Sequence, residues 1–312
     1  MREHPPSARF GRVVTAMVTP FDDSGALDLG GAVRLARHLA ADGSEGLVLT
    51  GSTGEVSTLT DDERVDLWRA VREAVTVPVV AGATSNDTAH SVDLVRRAED
   101  AGVAGILAVT PYYSRPSQSG IEGHFRAVAA ATSLPVVLYD IPVRTGRRIA
   151  RETLLRLAEE VVNVVGLKDA AGDPAGTARL LAEAPAGFEC YSGDDALTLP
   201  LLSVGAGGLI GVATHWCGRE CAEMIGRFLA GDVAGAREVN AALIESFAFE
   251  TGDDAPNPQP TKAMLRVLGL PAGECRLPLG PGPSGLEERA KSVLERLDAW
   301  RRARAAAGAA AR

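Results

Sequence analysis

Lysine is nearly absent from this sequence. Of 32 basic residues in the 312-residue chain, three are lysine, Lys168, Lys262 and Lys291, and the other 29 are arginine. A guanidinium stays protonated in proteins, whereas a buried ammonium loses its proton readily, so each lysine is a separate candidate for chemistry. Cysteine is scarce too. Cys190, Cys217, Cys221 and Cys275 are too few and too scattered for a disulfide framework, and a reducing, cytoplasmic setting is expected. No long apolar run occurs: the least polar stretch, residues 199–214, is 16 residues long with four glycines. That falls short of the ~20 that span a bilayer, so it is read as a buried strand and loop, not a membrane segment. The first residues, MREHPPSARFGR, carry charge and proline without an apolar core, and no secretory signal is expected.

Positive charge is in deficit. A formal charge of -8 and a pI near 5.3 exclude the basic surface of a nucleic-acid binder and point to a small-molecule partner. Metal sites are lacking as well. His4, His38, His90, His124 and His215 form no HxH or HExxH spacing, and Cys217-x-x-x-Cys221 has no second ligand pair, so those cysteines are read as a packed pair on one helical face. Neither a Gly-x-Ser-x-Gly elbow nor a P-loop is present. Metal-independent carbonyl chemistry is what remains.

What the chain has is a regular alternation of short apolar runs with amphipathic segments. Strands are predicted at residues 13–18, 46–50, 77–81, 105–109, 136–139, 164–167, 188–191 and 208–212. Between them lie helical patterns such as Val33, Leu35, Ala36, Leu39 and Val92, Leu94, Val95, Ala98. Thr60-Asp61-Asp62-Glu63 and Ser119-Gly120-Ile121-Glu122 read as capping boxes at helix starts. Strands alternating with helices pair in parallel through right-handed crossovers, and eight such units close a (β/α)8 TIM barrel. The rival, an open doubly wound sheet, usually has a Gly-rich loop after its first strand; here that strand ends in Thr19-Pro20-Phe21. The expected α/β architecture is a catalytic barrel over residues 1–231 and a C-terminal helical region over 232–312 packed on it. Helices are predicted there at 233–249, 261–268 and 285–304, followed by an Arg/Ala-rich tail.

In a barrel, chemistry gathers where the strands end. Those positions hold Gly51-Ser52-Thr53-Gly54-Glu55, Thr110-Pro111-Tyr112-Tyr113, Tyr139-Asp140-Ile141-Pro142, Lys168-Asp169 and Ser192-Gly193-Asp194-Asp195. All four tyrosines, Tyr112, Tyr113, Tyr139 and Tyr191, fall at or just past predicted strand ends, although tyrosine favours strands in any case. Lys168 ends a buried run, and desolvation there would leave a neutral amine able to attack a carbonyl. The plainer reading is a buried lysine paired to Asp169, but strand neighbours point to opposite faces. The Gly/Ser/Thr loop suits a small carboxylate through its N–H and hydroxyl donors, and Arg144 could grip another.

These motifs, with Ser114-Arg115-Pro116-Ser117-Gln118, Val143-Arg144-Thr145-Gly146 and Gly166-Leu167-Lys168-Asp169, resemble the dihydrodipicolinate synthase / N-acetylneuraminate lyase family of Schiff-base class I aldolases. The likeness runs in order from about residue 11 to 279. It implies a (β/α)8 barrel with a helical C-terminal region, and a covalent imine between Lys168 and pyruvate with no external cofactor. It also implies proton transfer by Tyr139, a relay completed by Ser52 and Tyr113, and a substrate site formed by Thr53, Gly193 and the backbone at Ile210. Arg144 matches an arginine that grips aspartate semialdehyde in the synthases of lysine and diaminopimelate biosynthesis. Ser52-Thr53 stands where those synthases usually have two threonines, so the alternative is another pyruvate-dependent aldolase or dehydratase, of the sialic acid lyase or 2-keto-3-deoxy sugar acid kind. A homotetramer of dimers is expected, Tyr113 reaching into a neighbouring site. Weak or absent lysine inhibition is expected at Val56, Asp61, Arg64, Asn86, His90 and Tyr112, because His90 and Arg64 do not favour an ammonium ligand.

Overall fold

The computed structural model describes residues 6–310; His4, the first residues of the N-terminal stretch and the last two of the tail lie outside them. Eight strands form a closed parallel barrel in chain order. They are β1 (Val13–Ala16), β2 (Gly46–Leu49), β3 (Val79–Gly82), β4 (Gly105–Val109), β5 (Val136–Asp140), β6 (Val164–Asp169), β7 (Glu189–Ser192) and β8 (Gly208–Gly211), with β8 pairing back to β1. The expected barrel is the observed one. Strand β3 starts two residues later than predicted, at Val79 after Pro78, since proline has no N–H to give the ladder. Strand β6 runs on through Lys168 and Asp169, and Lys168 sits in register between Tyr139 and Tyr191.

The outer layer is α1 (Leu29–Ala41), α2 (Asp61–Ala74), α3 (Thr88–Asp100), α4 (Gln118–Ala130), the single turn α5 (Pro142–Thr145), α6 (Arg151–Glu160), α7 (Pro174–Glu183), α8 (Thr198–Ser203) and α9 (Thr214–Leu229). Helix α2 starts with the predicted capping box, Thr60 and Glu63 each bonding the other's backbone N–H. Helix α4 does not start where expected. Ser117, not Ser119, is its cap, accepting from the Gly120 N–H at 3.2 Å, because Ser117 offers the same hydroxyl earlier. Glu122 turns to Arg126 and Arg156, stronger partners for a carboxylate than a backbone amide.

One apolar layer lies between sheet and helices, with Leu35, Trp68, Leu94, Phe125 and Leu157 fully buried. A second fills the barrel interior, where Phe10 closes the N-terminal end. Gly105 makes that closure possible: a Cβ there would lie 2.4 Å from the Phe10 ring. Tyr191 belongs to this floor. Its hydroxyl accepts the Phe10 N–H at 3.2 Å and donates to Glu189 at 3.1 Å, so the strand-propensity explanation accounts for it and the mouth does not. A third cluster packs α9 against α10 (Val233–Phe249), α11 (Gln259–Val267) and α12 (Leu286–Ala310). It includes Cys217 and Cys221, buried free thiols whose sulfurs lie 3.9 Å apart. The 199–214 stretch supplies α8 and β8, and no helix among the described residues is long and apolar enough to cross a membrane.

Candidate active site

A cavity of about 510 Å³ opens at the C-terminal mouth of the barrel, lined by Ser52, Thr53, Tyr139, Arg144, Lys168 and Gly193 together. Six of the eight residues expected at the site therefore share one space, although they come from four different strand ends or the loops beyond them. Lys168 is 5% exposed, and its ammonium nitrogen lies 4.3 Å from the centre of the Tyr139 ring. Asp169 faces the other way, accepting from the Thr177 hydroxyl at 2.5 Å and the Ala171 N–H at 2.9 Å. The neighbouring acid is thus spent on α7, and Lys168 has no carboxylate at salt-bridge distance among the described residues.

Burial pulls the Lys168 pKa down to about 8, aided by the Arg144 cation and opposed by Asp195 and Glu250. At pH 7 about one such amine in ten is neutral, against roughly one in three thousand for an ordinary lysine. Burial pushes the Tyr139 phenol up to about 12, with Arg144 and a hydrogen bond from Ser52 acting against it. The phenol therefore holds its proton, and Ser52 lines the same cavity. Gly193 leaves room for the lysine stem: a Cβ there would stand 3.0 Å from Cγ of Lys168. The Gly193 N–H donates to the Asp169 carbonyl at 2.7 Å, tying β7 to β6 beside the nucleophile. Arg144 is solvent-exposed and makes no salt bridge among the described residues, so its guanidinium is available to an anion in the cavity.

Two expected residues stand apart. Ile210 is buried in β8, paired with Val14, and only Val212 two residues on reaches the cavity wall. Tyr113 is 91% exposed, on a left-handed backbone with φ of 70°; within one chain it does not meet Tyr139 or Ser52. An adjoining cavity of about 360 Å³ shares Ser52, Ile141, Arg144 and Asn257 with the first and holds Val56 and Tyr112. Beside it, the Asp61 carboxylate is already engaged by His90 at 2.9 Å and Arg64 at 3.5 Å.

Three groups around this mouth are not among the expected site residues. Asp195 and Glu250 lie behind Lys168, and the Glu55–Lys262 pair holds the loop that carries Ser52 and Thr53. Lys262 Nζ lies 2.6 Å from a Glu55 oxygen, with side-chain exposures of 1% and 0%, and donates to the Glu274 carbonyl at 3.0 Å. The other Glu55 oxygen accepts the Arg276 N–H at 2.8 Å. The scarcity of lysine pointed at Lys262; nothing local pointed at Glu250, which closes a helix some 80 residues downstream of Lys168.

A closed parallel barrel with a buried lysine, without a close carboxylate among the described residues, against a tyrosine at its open end is the frame of an enzyme that acts on carbonyl compounds. The chain belongs to the dihydrodipicolinate synthetase family, whose model matches residues 9–297. It is 50% identical over 291 residues to the 4-hydroxy-tetrahydrodipicolinate synthase of Moorella thermoacetica, covering 92% of this chain and 98% of that one. The enzyme of the same name from Acidothermus cellulolyticus is 51% identical over 276 residues, 87% of each chain. Among solved structures, the dihydrodipicolinate synthase of Cyanidioschyzon merolae with lysine bound superposes with a TM-score of 0.91 at 41% identity, over 94% of this chain and 99% of that one.

Proposed function

We propose that this chain is a lyase of the class I aldolase type that condenses pyruvate with aspartate semialdehyde, the 4-hydroxy-tetrahydrodipicolinate synthase reaction of lysine and diaminopimelate biosynthesis. The observation that carries this reading is the Lys168 amine, buried in the mouth cavity without a carboxylate partner and set over the Tyr139 ring. Its near relatives carry the same activity in their names.

The neutral Lys168 amine adds to the keto carbon of pyruvate, and the tetrahedral adduct loses water to give a cationic imine. That cation is an electron sink. A methyl proton leaves C3, the resulting enamine attacks the aldehyde carbon, a proton goes to the new alkoxide oxygen, and the substrate's own amino group then adds to the re-formed imine carbon, closing the ring and expelling the Lys168 amine. Tyr139, protonated at neutral pH and lining the cavity with Ser52, suits the giving and taking of these protons. Thr53, at the cavity wall beside Ser52, suits the pyruvate carboxylate. Arg144 suits the carboxylate of the second substrate. No external cofactor is called for, since the imine on Lys168 does the electronic work. Tyr113, exposed in one chain, completes the relay in a neighbouring copy, so a homotetramer is the assembly proposed. We read residues 6–231 as the catalytic barrel unit and the helices after it as a cover that contributes Glu250 and Lys262, in a cytoplasmic enzyme.

The test is a coupled assay with pyruvate, aspartate semialdehyde and a nicotinamide-dependent reductase. The unaltered enzyme should turn over, and Arg144→Ala should lower kcat/KM for the aldehyde about 10- to 100-fold, the worth of a charged hydrogen bond, while pyruvate still forms its adduct. Silence of the unaltered enzyme with this aldehyde would assign the chain to a different pyruvate-dependent aldolase.

A further inference from the structure

Behind Lys168 two carboxyl groups meet. Asp195, fully buried at 0% exposure, begins the short turn after β7. Its oxygens accept the Val212 N–H at 2.9 Å and the Ala213 N–H at 3.1 Å, just past β8. Glu250 follows the last residue of α10 and lines the same cavity as Lys168. One of its oxygens accepts from the same Ala213 N–H at 3.2 Å, so the two carboxyl groups meet at one amide. Gly211 permits the approach, because a Cβ there would stand 2.5 Å from an Asp195 oxygen.

Two carboxyl groups converging on one N–H, Asp195 fully buried and Glu250 half-buried beside it, repel each other when both are ionised, so one of them is driven to hold a proton. Burial raises both groups above the usual carboxylate range. Capping the start of α9 would use Asp195 alone and would not call for a second acid at the same amide. The ionisable groups facing the lysine amine are Tyr139 from β5, Arg144 from α5, Asp195 after β7 and Glu250 after α10, with Asp194 acting on the acid pair.

We propose that Asp195 and Glu250 share one proton and present a single negative charge to the Lys168 nitrogen, serving as the counter-charge of its cationic imine. Both are positioning residues, acting through the lysine. The inference rests on the imine chemistry proposed above and makes a non-additive prediction. Removing either acid leaves the other ionised, so the net charge stays; only the double variant removes it.

The experiment measures the pH dependence of borohydride trapping with pyruvate, in the unaltered enzyme, Asp195→Asn, Glu250→Gln and the double variant. Each single variant should keep the inflection within a few tenths of a pH unit. The double variant should move it down by about one unit, the lower end of what a nearby charge does, and well above the inflection should need about tenfold more pyruvate for half-maximal trapping, the same free energy read as affinity. Additive shifts, or none in the double variant, would overturn the proposal. Infrared difference spectra cover the case of a double variant that does not fold: at pH 7 the unaltered protein should carry protonated-carboxyl intensity, over that of Asp140, whose pKa burial raises to about 7, that both single variants lose, and undiminished intensity in both would also overturn it. Absence of any adduct in the unaltered enzyme would instead refute the imine reading itself.

Discussion

Lys168 and Lys262 are buried to nearly the same degree, 5% and 1% exposed, and each stacks over an aromatic ring, Tyr139 at 4.3 Å and Phe21 at 4.2 Å. Burial pulls the pKa of both downward. What separates them is a carboxylate at contact distance. Glu55 meets Lys262 at 2.6 Å, and the charged pair becomes a bolt between the Ser52-Thr53 loop and α11. Lys168 has the acid next to it in sequence turned away and the Asp195–Glu250 pair set back, so its charge is only partly balanced and it opens on a cavity. Desolvation alone does not make a nucleophile; desolvation without a close partner does. Lys291, exposed on α12, is neither.

The comparison breaks most visibly at the bolt. Lys262→Met should strand Glu55 without a counter-charge and cost about 3–5 kcal/mol, the usual penalty for removing one member of a buried pair. The expected result is a clearly lowered Tm by calorimetry while the folded fraction still forms the pyruvate adduct. An unchanged Tm would mean the pair contributes no more than a surface one. A smaller effect sharpens the other side. Because the reactive form of Lys168 is the neutral amine, kcat/KM for pyruvate should rise with pH about tenfold per unit and level off near 8. A profile flat from pH 6 to 10 would remove the lysine from the rate-determining proton balance. Tyr139, held near 12, should add no inflection in that range.

Much of this was legible in the residues themselves. Eight apolar runs spaced by amphipathic segments point to parallel strands joined by crossovers, and the count of eight with Thr19-Pro20-Phe21 in place of a Gly-rich loop favours the closed barrel over an open sheet. The mouth residues were legible because polar and aromatic side chains interrupt an apolar pattern at strand ends. Strand limits were not fixed to the residue: Pro78 delayed β3, and pairing with Tyr139 and Tyr191 carried β6 over Lys168. Tyr191 looked like a mouth residue and is a floor residue, since position along a strand does not say which way a long side chain leans. Ser119 looked like a cap and was displaced by Ser117. Tyr113, 91% exposed, has no partner among the described residues of its own chain, and sequence periodicity is silent on contacts between chains. Glu250 was invisible for a related reason. It is a polar residue ending an amphipathic helix, and only the packing of α10 against the turn after β7 brings it to Asp195.

The most direct test is to reduce the enzyme with borohydride in the presence of pyruvate and map the modified residue by mass spectrometry. One reduced pyruvate should appear on Lys168, with Lys262 and Lys291 unmodified, and Lys168→Arg should abolish it, since a guanidinium forms no imine. Modification at Lys262, or a chain that stays unmodified, would contradict the assignment of Lys168 as the reactive amine.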